Sequence, residues 1–572
     1  MKLIIICILF SLAIFAGPAA IETPTSMGIK VDQVGYLPAF PKIALVTART
    51  DSTEFVVRNA SDQKAVFTGR LSEAANDPDS GDRVQAADFT PLDKAGSYFV
   101  EVPGVGRSYE FKIGPSVYLR AYYLAMRAFY GQRCGTAVDL GAEFPGYKHG
   151  PCHLNGSYHA SSGKSGAHVS KAGWHDAGDY GRYIVNSGIT TGTLLWTYEM
   201  FAPSIGRVSL DIPESDNGTP DILNEIRWNL DWMLTMQDED GGVWHKQTSD
   251  HFSGFVMPEK DTLVSYVIGS GKEPFKTSCA TADFAAVMAI AGRVYKPFDG
   301  SYATKSLRAA ERAYAWVDKN PDAVYTNPPG VNTGAYGDSN CADERLWAAA
   351  ELWRTTHEPR YNEYFLKQYG QFKKTLADGR PENWNSLAPM ALWTYALASH
   401  HDTAALNDIR TAILQSADKL VDRTTHNGYR VSLSTKDYVW GSNGIVGDYA
   451  VSLLVANAIR NDRRYVASAL DDLHYLLGRN TFALSFVTQL GSNPYRHPHH
   501  RPSGADANPE PWPGLLSGGP NSHKQDAALQ RLPDLPPAKV YVDDQDSYAS
   551  NEVAINWQAS LVFLLAGVMS AR

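Results

Sequence analysis

Between about Met27 and Gly114 apolar and polar residues alternate in short runs: KIALVTA, TEFVVRNA, KAVFTGRL, GSYFVEV and YEFKIG. A period of two, broken by turn residues at sandwich-like intervals, predicts half-buried strands in two packed sheets. The expected unit is an immunoglobulin-like β-sandwich over residues 27–114, with no cysteine pair of its own. After Pro115 the period changes. In TSCATADFAAVMAIAGRVYK, Phe284, Val287, Met288, Ala291 and Val294 fall on one helix face. About twelve such segments begin near residues 115, 183, 219, 278, 301, 340, 358, 384, 402, 444, 463 and 551. Many are apolar almost all round, as helices buried on two sides are. Such a set suits a closed double ring of helices, an all-α barrel over residues 115–572, better than a four-helix bundle. The long Gly-, Pro-, His- and Asp-rich stretches 134–180, 239–275, 324–343 and 480–550 are where function is expected.

Composition narrows the class. The chain has 572 residues, 44% hydrophobic and 20% charged, with net charge −9. That is globular and too long for one core. No basic stripe is present, which argues against nucleic acid and anionic membrane as partners. The 13 Trp and 30 Tyr are suited to stacking on sugar rings, although large cores also consume aromatics. The opening MKLIIICILFSLAIFAGPAA reads as a secretory signal peptide, residues 1–20, cleaved between Ala16 and Ala20. No later stretch approaches a membrane span, so a soluble, secreted protein is expected, extracellular or periplasmic.

Cys7 lies in the leader. Cys279 and Cys341 fall on apolar helical faces and read as inert packing residues. Cys134 and Cys152 leave two readings open: a disulfide, or a tetrahedral zinc shell completed by His153 and His175.

Three segments carry polar groups that a scaffold does not need. Trp174-His175-Asp176-Ala177-Gly178-Asp179 puts two carboxylates three residues apart before an apolar helix, where helix capping is the bland alternative. Asn493 to Pro502 packs His497, His499, His500, Arg496 and Arg501 between prolines. The stretch Tyr541–Trp557 holds Asp543, Asp544, Asp546 and Glu552, with Glu552 opening the final helix. A helix N-terminus lowers a carboxyl pKa, so a proton-donating Glu552 needs neighbouring Asp charges or desolvation to raise it.

Together these segments resemble glycoside hydrolase family 9, the inverting cellulase family. KVDQVGYLPAFPKIALV is similar to the start of the immunoglobulin-like domain that precedes one branch of the family. WHDAGDYGRYIVNSG matches its base segment, Ser485 to Arg501 its histidine signature, and YVDDQDSYASNEVAINWQA its acid signature; Gln558 stands where the family usually has Asn. The resemblance implies an (α/α)6 barrel acting on a β-glucan, most simply as an endo-β-1,4-glucanase. Asp179 would be the general base, with Asp176 helping hold its water, and Glu552 the general acid, their carboxyls roughly 6.5–9.5 Å apart. His499 and Arg501 would donate to sugar hydroxyls, and Asp543 would support the acid or the substrate. Trp244, His245, Trp440 and Tyr548 would line the cleft, with Trp512 a further sugar platform. An exo-acting enzyme on cello-oligosaccharides or glucosamine oligomers is the alternative within the family. A non-catalytic carbohydrate-binding protein is the alternative outside it.

The resemblance also favours structural zinc on Cys134, Cys152, His153 and His175. It favours calcium at two oxygen-rich sets: Glu214, Asp216 and Asp221, and Thr333, Asp338, Asp343 and Glu344. Helix capping is the competing account of both.

Overall fold

The computed structural model describes residues 24–571; the expected leader lies outside them. Short strands fill the first hundred residues. Ile29–Lys30, Ile43–Val46, Arg83–Asp88 and Ala75–Asn76 form one antiparallel sheet in that spatial order. Gly35–Tyr36, Phe111–Ile113, Gly96–Val102, Glu54–Asn59 and Ala65–Arg70 form the second, with Gly106–Arg107 on Gly96–Val102. The period-two pattern is visible in Glu54–Asn59, where Phe55 and Val57 point inward and Glu54 outward. They meet Tyr36, Val46, Phe89, Tyr98, Val100 and Phe111 between the sheets.

Twelve helices of ten residues or more follow: α1 (Leu119–Gly131), α2 (Ile184–Ile205), α3 (Asp221–Thr235), α4 (Ser278–Val294), α5 (Gly300–Lys319), α6 (Ala342–Thr356), α7 (Pro359–Gln368), α8 (Ala388–Leu397), α9 (Thr403–His426), α10 (Ser442–Ile459), α11 (Arg463–Leu476) and α12 (Ile555–Ser570). Each begins within four residues of its predicted start. The even-numbered helices touch in the order α2–α4–α6–α8–α10–α12 and back to α2, closing an inner ring. Their apolar residues on every side explain the position: an inner helix packs on its ring neighbours and on the outer layer. The outer helices, such as α5 and α11, are amphipathic and turn one face to water.

Cys279 and Cys341, expected to be inert packing residues, form a disulfide with Cα atoms 4.7 Å apart. The periodicity placed both on buried faces correctly. It could not show that the starts of neighbouring inner helices α4 and α6 lie side by side.

The sandwich docks on the barrel through the VDQVGY run. Asp32 accepts from Tyr118 and contacts His474 Nδ1 at 2.8 Å. The Gln33 amide donates to the Ala483 carbonyl at 2.7 Å and accepts from the Asn493 N–H at 2.6 Å. Asn493 opens the segment that leads to His499.

Candidate active site

Because the six inner helices alternate with outer ones, all six N-termini lie at one end of the ring. Every loop that enters an inner helix contributes to a cleft of about 500 Å³ there. Asp176, Asp179 and Tyr183 precede or open α2; Phe252 comes from the loop before α4, and Gly334, Ala335 and Tyr336 from that before α6. Asn383 and Trp384 precede α8, Val439, Trp440 and Gly441 precede α10, and Glu552, Ala554 and Asn556 stand at the start of α12.

Asp179 stands at the cleft wall and is only 7% exposed. Its Oδ2 accepts from the Gly181 N–H (3.0 Å) and the Tyr183 hydroxyl (2.9 Å), and among the described residues Oδ1 takes no donor. One oxygen is thus fixed and the other is open to a water. Asp176 is held at both oxygens, by Asn186 at 2.8 Å and the Tyr336 hydroxyl at 2.6 Å. Burial, then the charge of Asp179, pushes its carboxyl up to about 8.

Glu552 lies two residues before the Ala554 N-cap of α12, in extended conformation (φ −66°, ψ 157°), and does not open the helix as expected. It therefore escapes the first turn, where the helix dipole would favour its ionised form. Desolvation raises its pKa well above the ordinary carboxyl value, with help from the charges of Asp179 and Asp176. A carboxylic acid that keeps its proton faces a carboxylate with a free oxygen. That pair can protonate a leaving group and activate a water.

The histidine segment reaches the acid segment through backbone. His499 N–H donates to the Asn551 carbonyl (2.9 Å), and its Nδ1–H donates to the Gln545 carbonyl (2.7 Å), which leaves Nε2 as an acceptor. Burial lowers its pKa, so the neutral ring is favoured. Asp543 receives the backbone N–H groups of Arg496 and His497, both at 2.8 Å, and the Asn551 amide at 3.1 Å. It shapes the histidine loop rather than lining the cleft.

Several expected cleft residues do other work. Arg501 is buried, and its guanidinium donates to the Gly178 (2.6 Å) and Ser253 (3.0 Å) carbonyls. It buttresses the base loop. Trp244 is buried, with its indole N–H on the Ser162 carbonyl. His245 is stacked on Tyr325 (3.6 Å, 7°) with Nε2 on the Ala335 carbonyl. Both belong to the strand-like floor beneath the cleft, where the side chains of GVWHK turn inward. Trp512 is buried under the histidine loop with its N–H on Asp506. Trp440 is the one expected platform that stands in the cleft, 41% exposed, and Tyr548 braces its ring at 5.2 Å. Tyr336, Trp384 and Trp557 were missed. Their shared signal, placement just before or at the start of an inner helix, becomes legible only when the ring closes. Trp557 lies so close over Gly444 that a Cβ there would sit 2.2 Å from its ring.

Next to the base loop Cys134, Cys152, His153 and His175 converge, all buried, with their ligand atoms within 4.8 Å of one another. Cys134 Sγ to His153 Nδ1 is 3.9 Å and Cys152 Sγ to His175 Nε2 is 3.8 Å. A tetrahedral ion with ordinary Zn–S and Zn–N bonds has S···N edges of about 3.6 Å. Both cysteines are free thiols, and His153 Nε2 rests on Asp261 Oδ2 at 3.3 Å, as a carboxylate behind a metal-bound imidazole does. The donor set fits a metal ion.

The acidic sets do not converge in this way. Among the described residues, the Cys/His cage is the only such group of three or more Cys, His, Asp and Glu side chains. Glu214 is spent on Arg133 in a paired contact at 3.0 Å, Asp221 accepts from Leu210 and Ser215, and Asp216 is exposed. In the second set the Thr333 hydroxyl and carbonyl accept from the buried ammonium of Lys246 (3.2 and 3.3 Å). Asp338 binds the Asn340 N–H and Asp343 that of Leu387; Glu344 is buried without a donor. Lys246 and backbone amides take part of the second set, whereas both carboxyl oxygens of Glu344 stay unpaired among the described residues.

A helical double ring that carries a protonated carboxyl and an open carboxylate in one aromatic cleft has the architecture of a glycoside hydrolase. The model for glycosyl hydrolase family 9 matches residues 118–565, and that for the cellulase N-terminal ig-like domain matches residues 25–107. The chain belongs to glycosyl hydrolase family 9. It is 39% identical to endoglucanase D of Acetivibrio thermocellus over 548 residues, 95% of this chain and 83% of the relative. It is 36% identical to a xyloglucan-specific endo-beta-1,4-glucanase of Bacteroides ovatus, over 98% of this chain and 97% of that one. A single-mutant thermostable endoglucanase from Alicyclobacillus acidocaldarius superposes with a TM-score of 0.87 at 30% identity, covering 96% of this chain and all of the other.

Proposed function

We propose that this enzyme hydrolyses β-1,4-glucosidic bonds of β-glucans with inversion, acting within chains. The carrying observation is the asymmetry of the two carboxyls. Asp179 keeps one oxygen free, whereas Glu552 is desolvated enough to stay protonated. Asp179 takes a proton from water as that water attacks the anomeric carbon; Glu552 gives its proton to the departing glycosidic oxygen. Asp176, Asp543 and Arg501 act as positioning residues, and Trp440 with Trp384 and Trp557 supplies apolar faces for sugar rings. Endo action is supported by the endoglucanase names of the two relatives. Proton NMR of fresh product from cellotetraose should show the α-anomer first. Initial β-anomer would refute the mechanism.

Zinc is the ion proposed for the Cys/His cage, because two thiolates and two imidazoles suit it and leave no open position for substrate. Its role is structural: His175 adjoins Asp176, so the cage anchors the base loop. Calcium at the two acidic sets rests on the family resemblance alone. Secretion is proposed from the predicted leader and from the Cys279–Cys341 disulfide, which suits an oxidising compartment. No helix among the described residues is long and apolar enough to cross a membrane.

A further inference from the structure

The residues lining the cleft include four carboxyls, Asp176, Asp179, Glu552 and Asp448, and no Lys, Arg or His. The reaction accounts for the first three. Asp448 has no part in it. It sits midway along inner helix α10, and one of its oxygens, Oδ1, accepts from the Ser560 hydroxyl of α12. Among the described residues its Oδ2 takes no donor, yet the residue is only 7% exposed.

Behind Asp448 stands Glu382, on the loop that enters α8. It is 1% exposed and its Oε2 has no hydrogen-bond partner. Burial raises the pKa of both acids, and the charge of Asp448 raises that of Glu382 further. Two carboxyls in one desolvated place cannot both ionise, so the pair retains a proton and can donate as well as accept. The next two residues after Glu382, Asn383 and Trp384, line the cleft, as does Trp557 from α12.

A structural explanation would require the pair to hold something together. Among the described residues Glu382 grips no neighbouring helix, and a single serine hydroxyl ties Asp448 to α12. Buried acids left short of donors, beside indoles in an open cleft, match a ligand that brings its own hydroxyls. A pyranose offers an apolar face to an indole and a rim of hydroxyls, each both donor and acceptor.

We propose that Asp448, backed by Glu382, is a specificity-determining residue that binds a hydroxyl of a neutral pyranose ring at a subsite beside Trp384 and Trp557. This rests on the glucan-hydrolase proposal above and names one wall of the same cleft.

The test uses the full chain in the Glu552→Gln background for binding, and the otherwise wild-type chain for kinetics. Titration calorimetry with cellotetraose should show a Kd about 10–100-fold weaker for Asp448→Ala, the loss of a charge-assisted hydrogen bond. Asp448→Asn keeps the shape and one donor–acceptor pair, and should recover most of that loss. In kinetics KM should rise far more than kcat falls. Glu382→Gln should weaken binding less than Asp448→Ala, because it acts through Asp448. If the wild type cleaves cellotetraose and Asp448→Asn and Asp448→Ala both bind it as tightly as their parent, the subsite is wrong while the hydrolase stands. Should Asp448→Ala fail to fold, an Asp448→Leu variant with Kd and KM equal to its parent, together with unchanged binding in Glu382→Gln, overturns the proposal. A glucosamine tetramer that binds more tightly than cellotetraose, with the preference lost in Asp448→Asn, would replace the hydroxyl by an ammonium and likewise overturn it.

Discussion

Gly178 separates the two carboxylates of the base segment, and its lack of a side chain sets how closely that segment approaches the histidine loop. A Cβ built at Gly178 would lie 2.0 Å from the His499 carbonyl oxygen and 3.1 Å from its carbonyl carbon. A comfortable carbon–oxygen contact is about 3.3 Å, so Gly178→Ala must open the gap by about 1 Å. Both atoms are backbone, and neither strand can rotate out of the way. The Gly178 carbonyl also receives the Arg501 guanidinium and backbone N–H, so the displacement pulls on the buttress. A misplacement near 1 Å at a reacting group costs roughly 100-fold in rate, about 2.7 kcal/mol of barrier. The assay is kcat on cellotetraose for wild type and Gly178→Ala, with thermal melting to confirm folding. The expected result is a kcat drop of about two orders of magnitude with KM changed much less. A folded Gly178→Ala with wild-type kcat would refute the claim that this contact sets the base's position.

Asp179→Asn and Glu552→Gln should each lower kcat by about 10²–10⁴-fold with little change in melting. Because Glu552 must be protonated to donate and its pKa is raised, activity persists above the ordinary carboxyl range and falls as pH rises through that pKa; the basic limb of kcat/KM reads this, and a limb near pH 4.5 would contradict it. One zinc per chain is expected by elemental analysis, and Cys152→Ser should lose metal and activity while the helical ring still melts cooperatively; absence of metal with a Cys134–Cys152 disulfide would exclude the cage. Gln33→Ala strips the Asn493 N–H of its partner and leaves the Ala483 carbonyl only the Asn493 side-chain amide, so kcat should fall about 10-fold although Gln33 lies in the sandwich; unchanged kcat would make the sandwich a passive neighbour.

Periodicity was enough for the twelve helices, because inner helices differ from outer ones in composition: α4 is buried on every side, whereas α5 shows one apolar stripe. The base and acid segments were legible because their motifs are contiguous. Lining residues were harder. GVWHK precedes α4 and reads like a cleft segment, yet the short strand Lys246–Thr248 turns Trp244 and His245 beneath the floor. Asp448 escaped notice because one acid in an apolar helix reads as tolerated polarity; its meaning depends on Glu382, 66 positions earlier on another loop. Nor does local sequence reveal which side-chain oxygens are already paired: Glu214 is held by Arg133 and Thr333 by Lys246.

The chemical segments are joined through peptide groups, and this bears on how the base and acid keep their spacing. Ala177 forms a bridge with Ala554, and the Ile555 N–H donates to the Asp176 carbonyl at 2.9 Å. His499 bridges to Glu552, and Arg501 N–H returns to Gly178. Residues 176–178, 499–501 and 552–555 therefore form one ribbon of hydrogen-bonded backbone, with the metal cage attached at His175 and the sandwich, through Gln33, at Asn493. Inversion needs room for one water between the carboxyls, a tolerance that a rotamer change would exceed. Backbone hydrogen bonds hold it with no side-chain entropy to lose. Side-chain substitutions around the cleft can thus retune binding without moving base against acid, whereas a methyl group at Gly178 cannot be absorbed.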